Sequence, residues 1–379
     1  MIRVLNILDT INSGGVERRR LSIAKLLNKS QFELKIICTN AVGNFPEEFK
    51  KHNVEVIEIG NLNSVFDIKQ HRKVIQIINS FKPHIIHGAV FEGVTMAAIN
   101  GFYKRVPVII IEETSDPQNR SWRGDLLMKI FALLSDKVIG VSPASTNYLI
   151  KKLKINPEKV VLINNGVAIP NYANYTTKEK LKQQLNIKTD DLVIGSIGRM
   201  DSDETKRYSD LIKAFAILNK NEISVKLLLI GDGREKLNYE KLVKELSLEK
   251  NVIFAGYQNE VSPYYGIMDI FSLVSSHESF GLVLAEAMLH KLPIVATKVG
   301  GMQYIVDDNQ TGFLVNKYDV ESIANQLLQL CISKDLRIKF GNSSYEKAIK
   351  NYTEEQYVNH IQNLYLSLGK QKIIKLLSL

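Results

Sequence analysis

Leu192-Val193-Ile194-Gly195-Ser196-Ile197-Gly198 is a short apolar, β-branched run, and it restarts a pattern that Asn164-Asn165-Gly166-Val167, Pro170 and a polar stretch to Lys180 had broken. Ahead of the break, strand-like runs lie at Ile2–Leu8, Leu34–Thr39, Val54–Ile59, Ile85–His87, Val106–Ile111, Lys137–Val141 and Val160–Ile163, with helical periods between them. Behind it come Val225–Ile230, Val252–Ala255, Ile270–Val274, Ile294–Thr297 and Gly312–Val315. Short buried strands alternating with helices predict parallel sheets with helices on both faces. The expected fold is therefore α/β, with two doubly wound Rossmann-like domains facing a central cleft. Their expected bounds are 1–170 and 171–359, with a C-terminal helix of about 360–379 packing back on the first. Ligands of such sheets bind beyond the carboxyl ends of the strands. The closing stretch Lys370–Leu379 is basic and apolar, suited to packing on either domain or to lying on a membrane surface.

The 379 residues are 45% hydrophobic and 23% charged, enough for full cores and too apolar for a disordered chain. Cys38 and Cys331 sit in separate apolar runs and read as core thiols of a reducing compartment rather than as a disulfide framework. No apolar run reaches the length of a membrane span, and Arg3 and Asp9 interrupt the start, so neither an anchor nor a signal peptide is expected and the expected location is cytoplasmic.

Charge is unevenly spread. Residues 1–170 hold 23 Lys and Arg against 15 Asp and Glu, whereas the remainder holds 26 against 25. The first half is thus expected either to present a solvated basic face or to meet an anionic partner. A phosphorylated substrate or an acidic lipid surface at the inner face of the membrane fits such a partner better than nucleic acid, for which no binding motif is present. Arg18-Arg19-Arg20 cannot all face one way on a helix whose Leu21, Ala24 and Leu27 pack inward, so at least one should point to solvent. Lys25, Lys29, Lys69, Arg72, Lys73, Lys104, Arg105 and Arg123 add to that basic surface.

Several motifs fall at predicted strand ends. Gly14-Gly15 follows the first strand at the mouth of a helix, where backbone N–H groups can approach an anion, although it is not a G-x-G-x-x-G fingerprint. Gly198-Arg199, with Lys206 beyond it, places a guanidinium and an ammonium where a diphosphate can be gripped. Gly231-Asp232-Gly233 turns after an apolar strand. Asp201-Ser202-Asp203 resembles a metal-binding D-x-D pair but lies in a polar loop beside those cations, so no metal is expected.

The most informative segment is Ser275-Ser276-His277-Glu278-Ser279-Phe280-Gly281-Leu282-Val283-Leu284-Ala285-Glu286-Ala287-Met288. Glu286 stands among apolar residues on a helix, and burial of a carboxylate requires donors, for which a ligand's hydroxyl pair is a natural source. The N–H groups of Phe280, Gly281 and Leu282 are expected in the first helical turn, an anion site.

Glu278-x7-Glu286, together with Gly14-Gly15, Gly198-Arg199 and Lys206, Gly231-Asp232-Gly233, Asn165-Gly166-Val167 and Gly300-Gly301, resembles the retaining glycosyltransferases of family four, which have the two-domain GT-B fold. The resemblance runs from Ile2 to about Tyr365. It implies a metal-independent, cofactor-free transfer from a nucleoside diphosphate sugar to a glycan or lipid-linked acceptor, in bacterial cell-surface polysaccharide synthesis. By position, Glu278, Arg199 and Lys206 would be catalytic, with Glu278 facing the sugar and the two cations neutralising the diphosphate. Glu286 would hold the ribose hydroxyls, and Gly14, Gly15, Gly231, Phe280, Gly281 and Leu282 would bind the donor. Many relatives carry a His at the end of the strand that here runs from Val108 toward Pro117; this chain has none, and Glu113 or Asp116 is expected in its place. His84, His87 and His277 are further candidates, with His277 best placed as a sugar or acceptor contact. The loop Gly301-Met302-Gln303-Tyr304 lacks the acidic residue common in relatives. The same architecture also serves sugar-nucleotide epimerases, sugar phosphorylases and non-catalytic partner subunits.

Overall fold

The computed structural model describes residues 1–12, 14–116, 120–172, 174–221 and 223–377, and of residues 175, 371 and 373–377 the backbone alone. Pro117 and the last two residues of the basic tail lie outside them. The chain divides into two compact units, Met1–Gly166 with Glu354–Leu379, and Val167–Thr353. The division at Gly166 precedes the sequence-derived boundary at 170, and the C-terminal helix, Glu354–Leu377, belongs to the first unit from its first residue.

In the first unit the strands are β1 (Ile2–Ile7), β2 (Thr10–Ile11), β3 (Phe32–Cys38), β4 (Asn40–Ala41), β5 (Glu55–Glu58), β6 (Ile85–Ala89), β7 (Val108–Glu113), β8 (Lys137–Gly140) and β9 (Val160–Leu162). Seven of them form one parallel sheet in the order β5-β3-β1-β6-β7-β8-β9, and β2 pairs with β4 apart from it. The second unit has β10 (Leu192–Ile197), β11 (Val225–Ile230), β12 (Val252–Gly256), β13 (Ile270–Leu273), β14 (Ile294–Thr297) and β15 (Gly312–Val315), parallel in the order β12-β11-β10-β13-β14-β15. In both sheets the winding reverses between two central strands, β1 and β6 in one and β10 and β13 in the other, and that switch point is where such sheets receive ligands.

The sheets bury both faces, which is why their strands read as near-continuous Ile, Val and Leu. On one face of the first sheet Tyr357, Val358, Ile361, Tyr365 and Leu368 of the C-terminal helix pack with Val4, Ile23, Val108 and Ile139. At about 1.5–3 kcal/mol for each large side chain buried, that face fixes the helix to the unit. Cys38 and Cys331 are both buried without a disulfide, and burial pushes each thiol up to about 12.

Of Arg18-Arg19-Arg20, one member keeps partial access to solvent, as expected, and the other two have almost none. Arg18 is half-buried, but Arg19 and Arg20 are 3% and 1% exposed, so they contribute nothing to a basic surface. Their burial has a partner that helical periodicity does not reveal, Glu112 near the end of β7.

Candidate functional site

Each unit gathers charged residues near its switch point. In the second, β10 runs into Gly198-Arg199 and then the short helix Asp203–Lys206, while β13 runs into the loop that carries His277 and Glu278. The two loops are stitched together. The Ser276 N–H donates to the Thr205 carbonyl at 2.9 Å, and the Ser276 hydroxyl donates to the Glu204 carbonyl. This brings Lys206 Nζ to 2.7 Å from Glu278 Oε2, an ion pair whose side chains are 21% and 18% exposed. Gly231, at φ +141°, is required because any Cβ there would run into the Gly198 carbonyl, so the loops after β10 and β11 close on each other.

The helix that holds Glu286 spans Leu282–Leu289, with Gly281 as its N-cap at φ +101°. It begins later than expected. Phe280 lies ahead of the first turn with its ring buried edge-on against Tyr352, at 5.6 Å between centroids, and only Gly281 and Leu282 stand at the helix start. Glu286 is half-buried, and Tyr265 Oη donates to its Oε2 at 2.8 Å. Tyr265, which stacks on His290 at 4.8 Å, was not found from the sequence; a tyrosine in a short polar-flanked segment gives no signal of its partner. His277 pairs with the neighbouring Ser276 hydroxyl at 2.8 Å. Arg199 is placed differently from Lys206: its side chain is 88% exposed and lies 3.8 Å from Asp201. Asp203, the second acid of the D-x-D pair, accepts from the Ser209 N–H at 3.0 Å and lies 3.2 Å from Arg207, so its carboxylate serves local structure.

In the first unit Gly14 caps the helix Gly15–Leu26. The carboxylate of Glu17 folds back over that helix start, where its oxygens occupy the space a Gly14 Cβ would need, and burial raises its pKa. Strand alternation sends Glu112 and Glu113 to opposite faces of β7. Glu113 is buried, accepts from the Ser115 hydroxyl at 2.7 Å and stands 2.5 Å from Arg120 Nη2, beside a cavity of about 210 Å³ lined by Val90, Phe91, Met128 and Phe131. Val90 holds φ +62° at the end of β6, a costly conformation for a β-branched residue and one that tends to collect at ligand sites. Asp116 closes the described segment after β7.

Glu112 enters a sealed cluster. Arg20 Nη2 donates to its Oε2 at 2.6 Å and Arg20 Nη1 to Tyr357 Oη at 3.1 Å; Arg19 Nη1 lies 3.3 Å from Glu112 Oε1 and donates to Asn165. His87 Nδ1 is 2.7 Å from Tyr365 Oη. Burial alone would raise the Glu112 carboxyl, but Arg20 and Arg19 together hold it well below the usual carboxylate range. Burial first, then Arg20, brings His87 down to about 4, so it is neutral. His84 accepts from the Arg3 N–H at 2.9 Å near the amino ends of β1 and β6, away from both switch points.

Among the described residues no cluster of three or more His, Cys, Asp or Glu is arranged to hold a metal ion.

Comparison with known proteins follows the same division. The model "Glycosyltransferase Family 4" matches residues 13–169, and "Glycosyl transferases group 1" matches residues 177–347. N-acetyl-alpha-D-glucosaminyl L-malate synthase of Bacillus anthracis is 33% identical over 186 residues, an alignment that takes in 49% of this chain and about half, 48%, of that protein. UDP-Gal:alpha-D-GlcNAc-diphosphoundecaprenol alpha-1,3-galactosyltransferase of Escherichia coli is 23% identical over 376 residues, covering 94% of this chain and 95% of that protein. HepE of Anabaena, solved in complex with UDP and glucose, superposes with a TM-score of 0.85 at 23% identity, covering 97% of this chain and 100% of that one. Two all-parallel Rossmann-like units, each matched by its own glycosyltransferase model, make this chain a member of glycosyltransferase family four with the GT-B fold.

Proposed function

We propose that this chain transfers a sugar with retention from a nucleoside diphosphate sugar to a glycan or lipid-linked acceptor, without a metal ion, in bacterial cell-surface polysaccharide synthesis. The transfer takes place in the cytoplasm, at the inner face of the membrane. The observation that carries the reading is the Lys206–Glu278 pair, 2.7 Å apart and only partly exposed, at the switch point of the second unit.

In the transfer, the bond from the anomeric carbon to the diphosphate oxygen breaks and its electron pair leaves on the diphosphate. The acceptor hydroxyl oxygen bonds to the same face of that carbon and passes its proton to the departing diphosphate oxygen. Lys206 stabilises the charge that grows on the departing diphosphate, helped by the N–H groups at the start of helix Leu282–Leu289 and by Arg199. Glu278 holds Lys206 in position and faces the sugar. Tyr265 fixes the Glu286 carboxylate to receive the ribose hydroxyls. Gly14 and Gly15 approach the diphosphate through backbone, and Glu113, Asp116 and His277 serve the sugar or acceptor. The relatives' names favour a UDP-sugar and a polyprenyl diphosphate-linked glycan as the first pair to try.

The test is incubation with a panel of UDP-sugars, with and without EDTA, followed by NMR. Slow release of free sugar, first as the α-anomer and insensitive to EDTA, is expected. Isomerised donor would replace this reading with an epimerase, and no turnover of any donor would make the chain a non-catalytic partner subunit.

A further inference from the structure

Helix Trp122–Leu134 leaves an unusual set of side chains in water. Trp122 is 71% exposed, Leu126 50%, Ile130 42% and Leu133 77%. At about 100° per residue these four fall within an arc of roughly 80°, so they make one continuous apolar stripe. Lys129 and Arg123 are exposed at the two edges of the same arc. The opposite face is fully committed, with Met128, Phe131 and Ala132 packed into a core with Val94, Ala98 and Ile111. The helix has one acid, Asp125, and it is turned aside: it accepts from Tyr148 Oη at 2.6 Å and lies 3.8 Å from Lys152. The exposed face therefore combines large apolar side chains with two positive charges and no negative one.

We propose that this face is the chain's docking surface for an anionic bilayer, with Trp122, Leu126, Ile130 and Leu133 entering the interface and Arg123 and Lys129 meeting acidic headgroups. An apolar stripe rimmed by cations, with a tryptophan at one end, is the arrangement of a helix lying in a membrane interface. Charge selects this occupant over a second copy, since pairing two copies of the face would gather four cations and no acid in one interface. The stripe also replaces Arg19 and Arg20, which are sealed against Glu112, as the membrane-facing part of the first unit. The inference deepens the membrane-side acceptor reading and rests on it for its purpose.

Trp122 is the chain's single tryptophan, so fluorescence excited selectively in tryptophan reports on this face alone. The full chain is titrated with phosphatidylcholine vesicles and with phosphatidylcholine–phosphatidylglycerol vesicles. A blue shift and loss of acrylamide quenching are expected with the anionic vesicles only, weakened by salt. The exposed-site variant Leu126→Ser/Leu133→Ser, with unchanged circular dichroism, should partition about tenfold less. No shift with anionic vesicles at low salt, or an equal shift with neutral ones, would overturn the proposal. A blue shift that grows with protein concentration in the absence of lipid would assign the face to a second copy instead. Binding is measured without turnover: a chain that binds but hydrolyses no donor refutes the transfer alone, and one that hydrolyses donor without binding refutes the face alone.

Discussion

Each unit sets carboxylates beside cations near the carboxyl end of its sheet, yet the two clusters differ in their access to water. Around Glu112 in the first unit, Arg19, Arg20, His87, Tyr357 and Tyr365 are all buried, and the tyrosines come from the C-terminal helix. Around Glu278 in the second unit there is Lys206, with about a fifth of each side chain still open. A sealed ion cluster adds little net stability over an apolar filling, but it cannot lose one partner cheaply. An open pair contributes little to stability either way and is left able to exchange partners with a ligand. Burial, rather than charge or position on the sheet, separates the carboxylate that holds the fold from the one proposed to act.

Removing one member of each pair tests this most severely. Glu112→Ala strands two guanidinium groups in the core and should cost about 3–5 kcal/mol in urea unfolding. Glu278→Gln should change stability by no more than about 1 kcal/mol, while Lys206→Ala should lower kcat about a hundredfold with a smaller rise in KM. Equal losses of stability from Glu112→Ala and Glu278→Gln would break the comparison.

Acid sharpens it. His87 is held neutral down to about 4 in the folded unit against its ordinary value of 6.5, so the unfolded chain binds its proton first. Its contribution is whole above pH 6.5 and is lost as the pH falls toward 4, a change of about 3 kcal/mol at one proton. Glu112, depressed by its arginines, adds a further loss below its ordinary carboxylate range. Hydrogen exchange should loosen β6 and β7 across this window while leaving β10 and β13 protected, and His87→Gln should flatten the upper part of the decline. Uniform loosening of both sheets would mean that other groups dominate.

The strands were almost wholly legible because each parallel strand is buried on both faces and reads as an uninterrupted apolar run. The β2–β4 pair was not, since two residues carry no period. The switch-point residues Lys206 and Glu278 were legible from their place after predicted strands and from a resemblance. The Glu112 cluster was missed for a physical reason: helical periodicity says which residues share a face but not that a charge on the next element will neutralise two arginines. One signal was available. Glu112 closes the run Val108-Ile109-Ile110-Ile111, and a carboxylate at the end of a doubly covered strand calls for a buried cation. Tyr265 gave no such sign, because its value lies in reaching Glu286 from another helix.

Glu286→Gln keeps the shape and removes the charge, so donor affinity should fall about tenfold, in line with the strength of charge-assisted hydrogen bonds. Tyr265→Phe should produce a smaller part of that loss by freeing the carboxylate to rotate, and isothermal titration with UDP measures both. If UDP affinity is unchanged in Glu286→Gln, the ribose assignment is wrong and Glu286 joins Glu112 as a structural acid.

The smallest effect belongs to Arg199. The sequence ranks it with Lys206, but its side chain is 88% exposed and its nearest acid, Asp201, stands 3.8 Å away, whereas Lys206 is held at 2.7 Å by Glu278. A cation free in solvent must be ordered before it can stabilise a leaving group, and ordering a long side chain costs about 1.5–2 kcal/mol of rotamer entropy. Its attraction to a diphosphate is also screened by salt. Arg199→Ala should therefore lower kcat by about threefold or less at moderate ionic strength, and more in dilute buffer, against the much larger and salt-insensitive loss in Lys206→Ala. Steady-state kinetics at two salt concentrations separates the outcomes. A loss in Arg199→Ala that matches Lys206→Ala and ignores salt would show that the bound donor draws Arg199 into a buried grip, and that exposure without ligand does not mark which charges of this unit act.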